Sequence, residues 1–267
     1  MTGPLRPADA DGEAAGRPLV FAHRGASATL PEHTLAAYRH ALAEGADGLE
    51  CDVRMTRDGH LVCLHDRRLD RTSNGRGRVS DYTLAELQRL DFGSWHGGGG
   101  SAPVLTLDQL LHEVRGAGRP VRLLIETKHP TRFGPRVERR LAELLYEHRL
   151  ATPAPGDPLQ VTVMSFSILA LRRIRLLAPA LPTVLLLQVL PPGFAMNRLP
   201  FGARIAGPNI NLLRSRPGLV PALRAAGLQV YTWTVNEPAD LALVRRHRVA
   251  GVITDRPAQA LAMLAQD

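Results

Sequence analysis

Short apolar runs alternate with amphipathic segments of helical spacing along most of the chain. The runs are LVFAH (19–23), GLECDV (48–53), LVCLHD (61–66), LLIETK (123–128), VTVMSF (161–166), TVLLLQ (183–188), a weaker one near Ala206–Leu212, QVYTWTV (229–235) and VAGVITD (249–255). Helical patterns fill several of the intervals. Thr34–Glu44 stops at Gly45, Thr106 opens the capping-box sequence TLDQ, and Ile168–Leu177, Leu219–Ala226 and Ala239–Arg246 follow. Strand–helix alternation of this kind predicts a parallel sheet covered on both faces.

Nine runs are one too many for a closed eight-fold barrel. GLECDV and LVCLHD are joined only by RMTRDGH, too short for a helical crossover and carrying an Asp58-Gly59 turn signal. These two runs are therefore expected to form a hairpin, which leaves eight parallel strands and predicts an α/β fold, a (β/α)8 TIM barrel. Residues 67–103 hold RTSNGRG, a short helix capped by Thr83 and the glycine-rich WHGGGGS, and read as a small insertion on the upper face. Residues 1–17 lack periodicity and read as a loose, disordered tail, so that 18–267 is expected to form one barrel domain.

Composition narrows the partners. A hydrophobic fraction of 45% excludes a disordered chain. Lys+Arg 33 against Asp+Glu 25 gives a charge of +8, compatible with nucleic acid, a membrane surface or an anionic small substrate. No Lys/Arg-rich block with interleaved aromatics is present, so nucleic acid is not expected. Cys51 and Cys63 lie in apolar runs and read as buried hydrophobes, not as a bridge or a ligand pair. No apolar run follows the N-terminal charge, and TVLLLQVL falls short of the roughly 20 residues that span a bilayer. A cytoplasmic protein without a transmembrane segment is expected; oligomeric state is not legible.

Polar residues interrupt the apolar runs at telling places. Glu50 and Asp52 are two apart and face one side of their strand, as do Glu126 and Lys128 on theirs. His23, followed by Arg24, ends the first run, and His65 closes the hairpin run. In a barrel these positions converge on the upper face, where active sites are built. Two carboxylates about 4 Å apart repel by roughly 4 kcal/mol at an effective dielectric of 20. Three grouped carboxylates need a cation, and an all-oxygen set suits Mg²⁺ or Ca²⁺ better than zinc. Two histidines beside them fit a general acid and a general base acting across a phosphorus. An internal salt-bridge network is the alternative reading of the same charges. His33, His40, His60, His96, His112, His129, His148 and His247 read as surface or structural.

AHRGASATLPEHTLAAY, GADGLECDVRMTRDGHLVCLHD, LDRTSNGRG, LLIETK, VMSF, VYTWTVN and GVITDRP, in this order from Val20 to about Pro257, together resemble the glycerophosphodiester phosphodiesterase family. The resemblance implies the same barrel and divalent-cation-dependent hydrolysis of glycerophosphodiesters to glycerol 3-phosphate and an alcohol. It implies His23 and His65 as the acid–base pair, and Glu50, Asp52 and Glu126 as ligands of one divalent cation, Mg²⁺ or Ca²⁺. It further implies Arg24 and Lys128 as phosphate contacts, Trp233 as a wall of the glycerol pocket, and Glu32 as a tie within the first loop. One departure stands out: the chain reads PEHT, with His33 where the family usually has Asn, which bears on that loop's hydrogen bonding.

Three other readings are weighed. A lysophospholipase D would need a long apolar groove. A non-catalytic phosphodiester-binding protein would have lost a histidine or a ligand, and this chain keeps them all. A barrel hydrolase of carbon–nitrogen bonds would carry several His ligands. Headgroup choice is expected to lie with the insertion near Trp95 and the stretch Pro191–Pro200.

Overall fold

In a computed structural model the described residues are 17–190, 194 and 197–265. The expected tail, apart from Arg17, and part of the Pro191–Pro200 stretch lie outside them. The strands are β1 (Leu19–His23), β2 (Gly48–Met55), β3 (Leu61–Cys63), β4 (Val121–Thr127), β5 (Leu159–Ser165), β6 (Thr183–Leu187), β7 (Ile205–Pro208), β8 (Gln229–Thr232) and β9 (Gly251–Thr254). Their order is β1-β9-β8-β7-β6-β5-β4-β2-β3, and β1 also pairs with β2, which closes eight parallel strands into a barrel. β3 stands outside the ring, antiparallel to the end of β2 through Val53↔Cys63 and Met55↔Leu61. The hairpin and the barrel are those the sequence implies.

The helices follow from local signals. Thr34 caps α1 (Leu35–Ala43), and reciprocal capping boxes start α2 (Leu84–Leu87, Thr83 with Glu86) and α3 (Leu107–Arg115, Thr106 with Gln109). Ser167 caps α5 (Ile168–Leu177), while α7 (Leu219–Ala225) and α8 (Pro238–Arg246) match the expected spans closely. Three helices were not singled out from sequence: α4 (Arg136–Glu147), α6 (Ile210–Ser215) and α9 (Pro257–Leu264). The weak run near Ala206–Leu212 is the instructive case. Its strand ends at Pro208, and Asn209 then caps α6 by accepting from the Asn211 N–H at 2.9 Å. A strand and a helix are compressed there into one apolar stretch.

Alternation along the strands sorts the core. Outward residues pack under the helices in two clusters, one around Leu49, Leu123, Val163 and Leu141, the other around Val20, Val230, Val252 and Leu223. Inward residues Phe21, Leu124, Met164, Val184, Leu186, Ile205, Tyr231 and Ile253 form the barrel's own plug. Phe21 and Tyr231 meet with ring centroids 5.2 Å apart. Gly48 makes room for that pair: a Cβ there would stand 2.6 Å from the Phe21 ring. The segment between β3 and α3 packs its own apolar cluster, with Leu69, Val79, Leu87 and Phe92 among its members. No described helix is long and apolar enough to cross a membrane. Cys51 and Cys63 are free and buried.

Candidate active site

The plug ends one pleat below the upper rim, and the next inward position on each strand carries the chemistry. His23 follows Phe21, Glu50 follows Gly48 and Asp52 follows Glu50, Glu126 follows Leu124, Trp233 follows Tyr231 and Asp255 follows Ile253, each two residues on. Register brings them side by side, His23 opposite Glu50 and Asp52 opposite Glu126. Glu50, Asp52 and Glu126 are buried, and one carboxylate oxygen from each lies within 4.8 Å of the others. This group could hold a metal ion.

Lys128 Nζ sits 2.9 Å from Asp52 Oδ1 and 2.8 Å from Glu126 Oε1, and Arg24 Nε sits 3.1 Å from Asp52 Oδ2. The salt-bridge network weighed as an alternative is thus present. It does not let all three carboxyls ionise together. Burial and the Asp52 charge push Glu50 well above the usual carboxylate range and Glu126 up to about 8. Against a burial that would raise it, Lys128, the His33 hydrogen bond and Arg24 hold Asp52 well below its ordinary value. Asp52 Oδ1, though close to Lys128, accepts no aligned hydrogen bond. Carboxyls that burial and mutual repulsion keep from ionising together, and an undersatisfied buried oxygen, are what a hard divalent cation would relieve.

Each expected catalytic histidine is oriented by a carboxylate. His23 Nδ1 lies 2.6 Å from Asp255 Oδ1, and Asp255 is itself held by Ser27 Oγ at 2.9 Å and Asn236 Nδ2 at 2.6 Å. His65 Nδ1 lies 2.7 Å from Asp66 Oδ1, and Asp66 accepts from Arg71 Nε at 2.6 Å. With Nδ1–H given to the carboxylate, each ring keeps Nε2 for a reacting proton. Burial, with Arg24 and Lys128 nearby, lowers His65 to about 4. β3 ends at Cys63, so His65 stands just beyond the strand and does not end it.

The HRG turn is built to deliver its arginine. Arg24 and Gly25 take positive φ of 60° and 86°, and a Cβ on Gly25 would stand 2.7 Å from the backbone of Ala37. The Arg24 N–H then donates to Glu50 Oε2 at 3.1 Å, and its Nη1 to Glu32 Oε1 at 3.0 Å. Glu32 is brought down to about 2 against burial by a two-pronged hydrogen bond from Arg71 and by the Arg24 charge. It ties the first loop to the insertion, as a loop residue would.

Of the two readings of His33, surface or structural, the structure takes the structural one. It is buried at 4% exposure with Nε2 3.0 Å from Asp52 Oδ2 and Nδ1 2.8 Å from Tyr38 Oη. Burial lowers its pKa, and a neutral ring can donate Nε2–H to Asp52 while Nδ1 faces the Tyr38 hydroxyl, which itself donates to the Glu50 carbonyl at 3.2 Å. Where Asn would offer two polar ends on a short side chain, the imidazole spans from Tyr38 to Asp52. Trp233 donates Nε1–H to the Gly207 carbonyl at 2.7 Å and meets Phe166 edge-on at 5.3 Å. Asp255, Asn236, Ser27, Asp66, Arg71, Tyr38 and Phe166 were not singled out from sequence. Asp255 carried the same signal as His23, a polar break at the end of an apolar run; Phe166, apolar itself, carried none.

Comparisons agree over nearly the whole chain. Residues 23–259 match the model of the glycerophosphoryl diester phosphodiesterase family. The Mycobacterium tuberculosis protein named probable glycerophosphodiester phosphodiesterase 1 is 49% identical, with 96% of this chain and 95% of that one covered. A glycerophosphodiester phosphodiesterase of Bacillus subtilis is 37% identical over 90% of this chain and 84% of its own. Among solved structures, an Oleispira antarctica phosphodiesterase in complex with its product sn-glycerol-3-phosphate superposes with a TM-score of 0.81 at 25% identity, covering 94% and 98% of the two chains. The chain belongs to the glycerophosphoryl diester phosphodiesterase family of enzymes.

Proposed function

We propose that the chain hydrolyses glycerophosphodiesters to sn-glycerol 3-phosphate and an alcohol, through one divalent cation, Mg²⁺ or Ca²⁺, and the pair His23 and His65. The observation that carries the reading is the cluster of three buried carboxylates, with their oxygens within 4.8 Å, beside two imidazoles each oriented by its own carboxylate. Glu50, Asp52 and Glu126 are the ligands. When bound, the cation neutralises phosphoryl oxygens and acidifies a hydroxyl.

The side chains do the rest. Arg24 and Lys128, at the rim of the carboxylates, hold the remaining phosphoryl charge. His65, neutral at ordinary pH, is assigned the base: its Nε2 takes a proton from the attacking water as the new O–P bond forms. His23 is assigned the acid: its Nε2 protonates the leaving alcohol oxygen as the old P–O bond breaks. Asp255 and Asp66 balance the charge each imidazole carries while it holds a proton. Trp233 and Phe166 form an apolar wall for the glycerol carbons. The barrel, 18–267 with the 67–103 insertion, acts as one domain, and free Cys51 and Cys63 suit a reducing, cytoplasmic setting.

The test is glycerol 3-phosphate release from choline, ethanolamine, glycerol and inositol diesters, with Mg²⁺ or Ca²⁺ and with chelator. Release that chelator abolishes supports the reading. No release from any diester with either cation overturns it.

A further inference from the structure

Beside the carboxylate cluster lies a shallow, open cleft of about 30 Å³, reached along the same pleats. Arg54 is the next inward residue of β2 after Asp52, and Lys128 the next after Glu126 beyond β4. Both line the cleft, with Arg67 and Arg78 from the insertion and Arg132 from the loop after β4. The lining holds four arginines and one lysine, and no carboxylate. Arg54 is fixed by donating from Nε and Nη2 to the His65 carbonyl at 2.8 and 2.6 Å. Arg132 is paired at 2.8 Å with exposed Asp81. The exposed guanidiniums of Arg67 and Arg78 have no hydrogen-bond or ion-pair partner among the described residues. Burial keeps Arg54 below its ordinary value, and Arg67 pushes it the same way.

We propose that this cleft is a second anion subsite, for a phosphomonoester carried on the alcohol part of the substrate. It rests on the diester-hydrolase reading above and deepens it. The two guanidiniums without a counter-ion, Arg67 and Arg78, suit a tetrahedral dianion better than a neutral or cationic headgroup, which they would leave unpaired or repel. Topology gives the direction. In the closed ring β4 and β8 stand opposite one another, three strands apart either way. A diester whose glycerol lies against Trp233, after β8, and whose phosphorus lies over the carboxylates therefore extends its alcohol toward Lys128 and the arginines. The insertion thus contributes to headgroup choice through Arg67 and Arg78.

The test compares glycerophosphoinositol with glycerophosphoinositol 4-phosphate, which differ by one phosphomonoester. The wild-type enzyme is expected to favour the phosphorylated diester by about tenfold or more in kcat/KM, and the double variant Arg67→Gln/Arg78→Gln to bring that ratio close to one. A wild-type ratio of one or below, or a ratio the double variant leaves unchanged, overturns the proposal. Calorimetric Kd values for the same pair give the ratio independently of turnover. Cleavage of glycerophosphocholine separates the two claims: if it is cleaved and the pair is not distinguished, only the subsite falls; if no diester is cleaved, the hydrolase reading falls and the Kd ratio still decides the subsite.

Discussion

The barrel's upper rim divides into two halves of four neighbouring strands. β9, β1 and β4 end in or just before Asp255, His23 and Glu126/Lys128, and β2 carries Glu50 and Asp52 within its span. β5 to β8 offer Phe166, Leu186, Gly207 and Trp233 at the comparable inward positions. The two halves share one plug, one pleat period and one closure, so the fold does not dictate the difference. What differs is charge at the last inward residue, and with it the chemistry: proton and cation handling on one half, shape and apolar contact on the other. Variants on the first half should change turnover, and variants on the second should change substrate binding.

The largest break comes from the imidazoles. His65→Ala and His23→Ala should each lower kcat by about 10²–10⁴-fold, the range for loss of a proton-transfer group, with the circular dichroism spectrum unaltered. Steady-state rates of glycerol 3-phosphate release check it. Near-normal turnover in either variant would remove that ring from the chemistry.

Next in size is the coupling of cation, proton and stability. Glu126 titrates at about 8 in the folded protein and near 4.3 in an unfolded chain. Between those values the folded state keeps a proton that the unfolded state has released. Its contribution to stability is therefore full below about 4.3 and is lost as pH rises toward 8. In chelator, Tm should fall from pH 5 to pH 8 by this term. A divalent cation at about 100 times its Kd should restore about 2.7 kcal/mol. Thermal melts of wild type and Glu126→Gln, with and without Mg²⁺, measure both. A cation-independent Tm at pH 8 would leave the carboxylates as a salt-bridge network and no more.

A smaller effect sharpens the comparison within the charged half. Asp255→Asn keeps a hydrogen-bonding side chain near His23 but removes the charge that orients and balances the ring. It should cost about 10–100-fold in kcat with KM little changed, less than loss of the imidazole itself. An equal rise in KM would make Asp255 a binding residue.

The same division marks what was legible in the sequence. On the charged half each residue of interest breaks an apolar run, as Glu50, Asp52 and Glu126 do, and alternation alone assigns it to the barrel interior. Asp255 broke its run equally but had no like residue two positions away to draw attention. His33 was read only as surface or structural because its loop has no period to tell which. Its place on Asp52 depends on the positive-φ turns at Arg24 and His33, which no local pattern announces. On the other half Pro208-Asn209 hid the change from strand to helix inside one apolar stretch. The arginine cleft was invisible for a different reason. Its members come from positions 54, 67, 78, 128 and 132, and no spacing links two strands, an insertion and a loop.

The smallest expected effect tests the apolar half directly. Trp233 is held at both ends, its Nε1–H on the Gly207 carbonyl and its ring against Phe166, so it meets the substrate as a fixed face. Truncating it to Ala removes apolar contact made alike in ground state and transition state. KM should rise about 5–20-fold, equivalent to about 1–2 kcal/mol of lost burial, with kcat within about threefold of wild type. Trp233→Phe keeps a ring but loses the tether, and its KM should fall between the two. Were kcat to collapse while KM held, the indole would be acting on the reacting atoms, and the division of the rim into a chemical half and a binding half would fail at its simplest point.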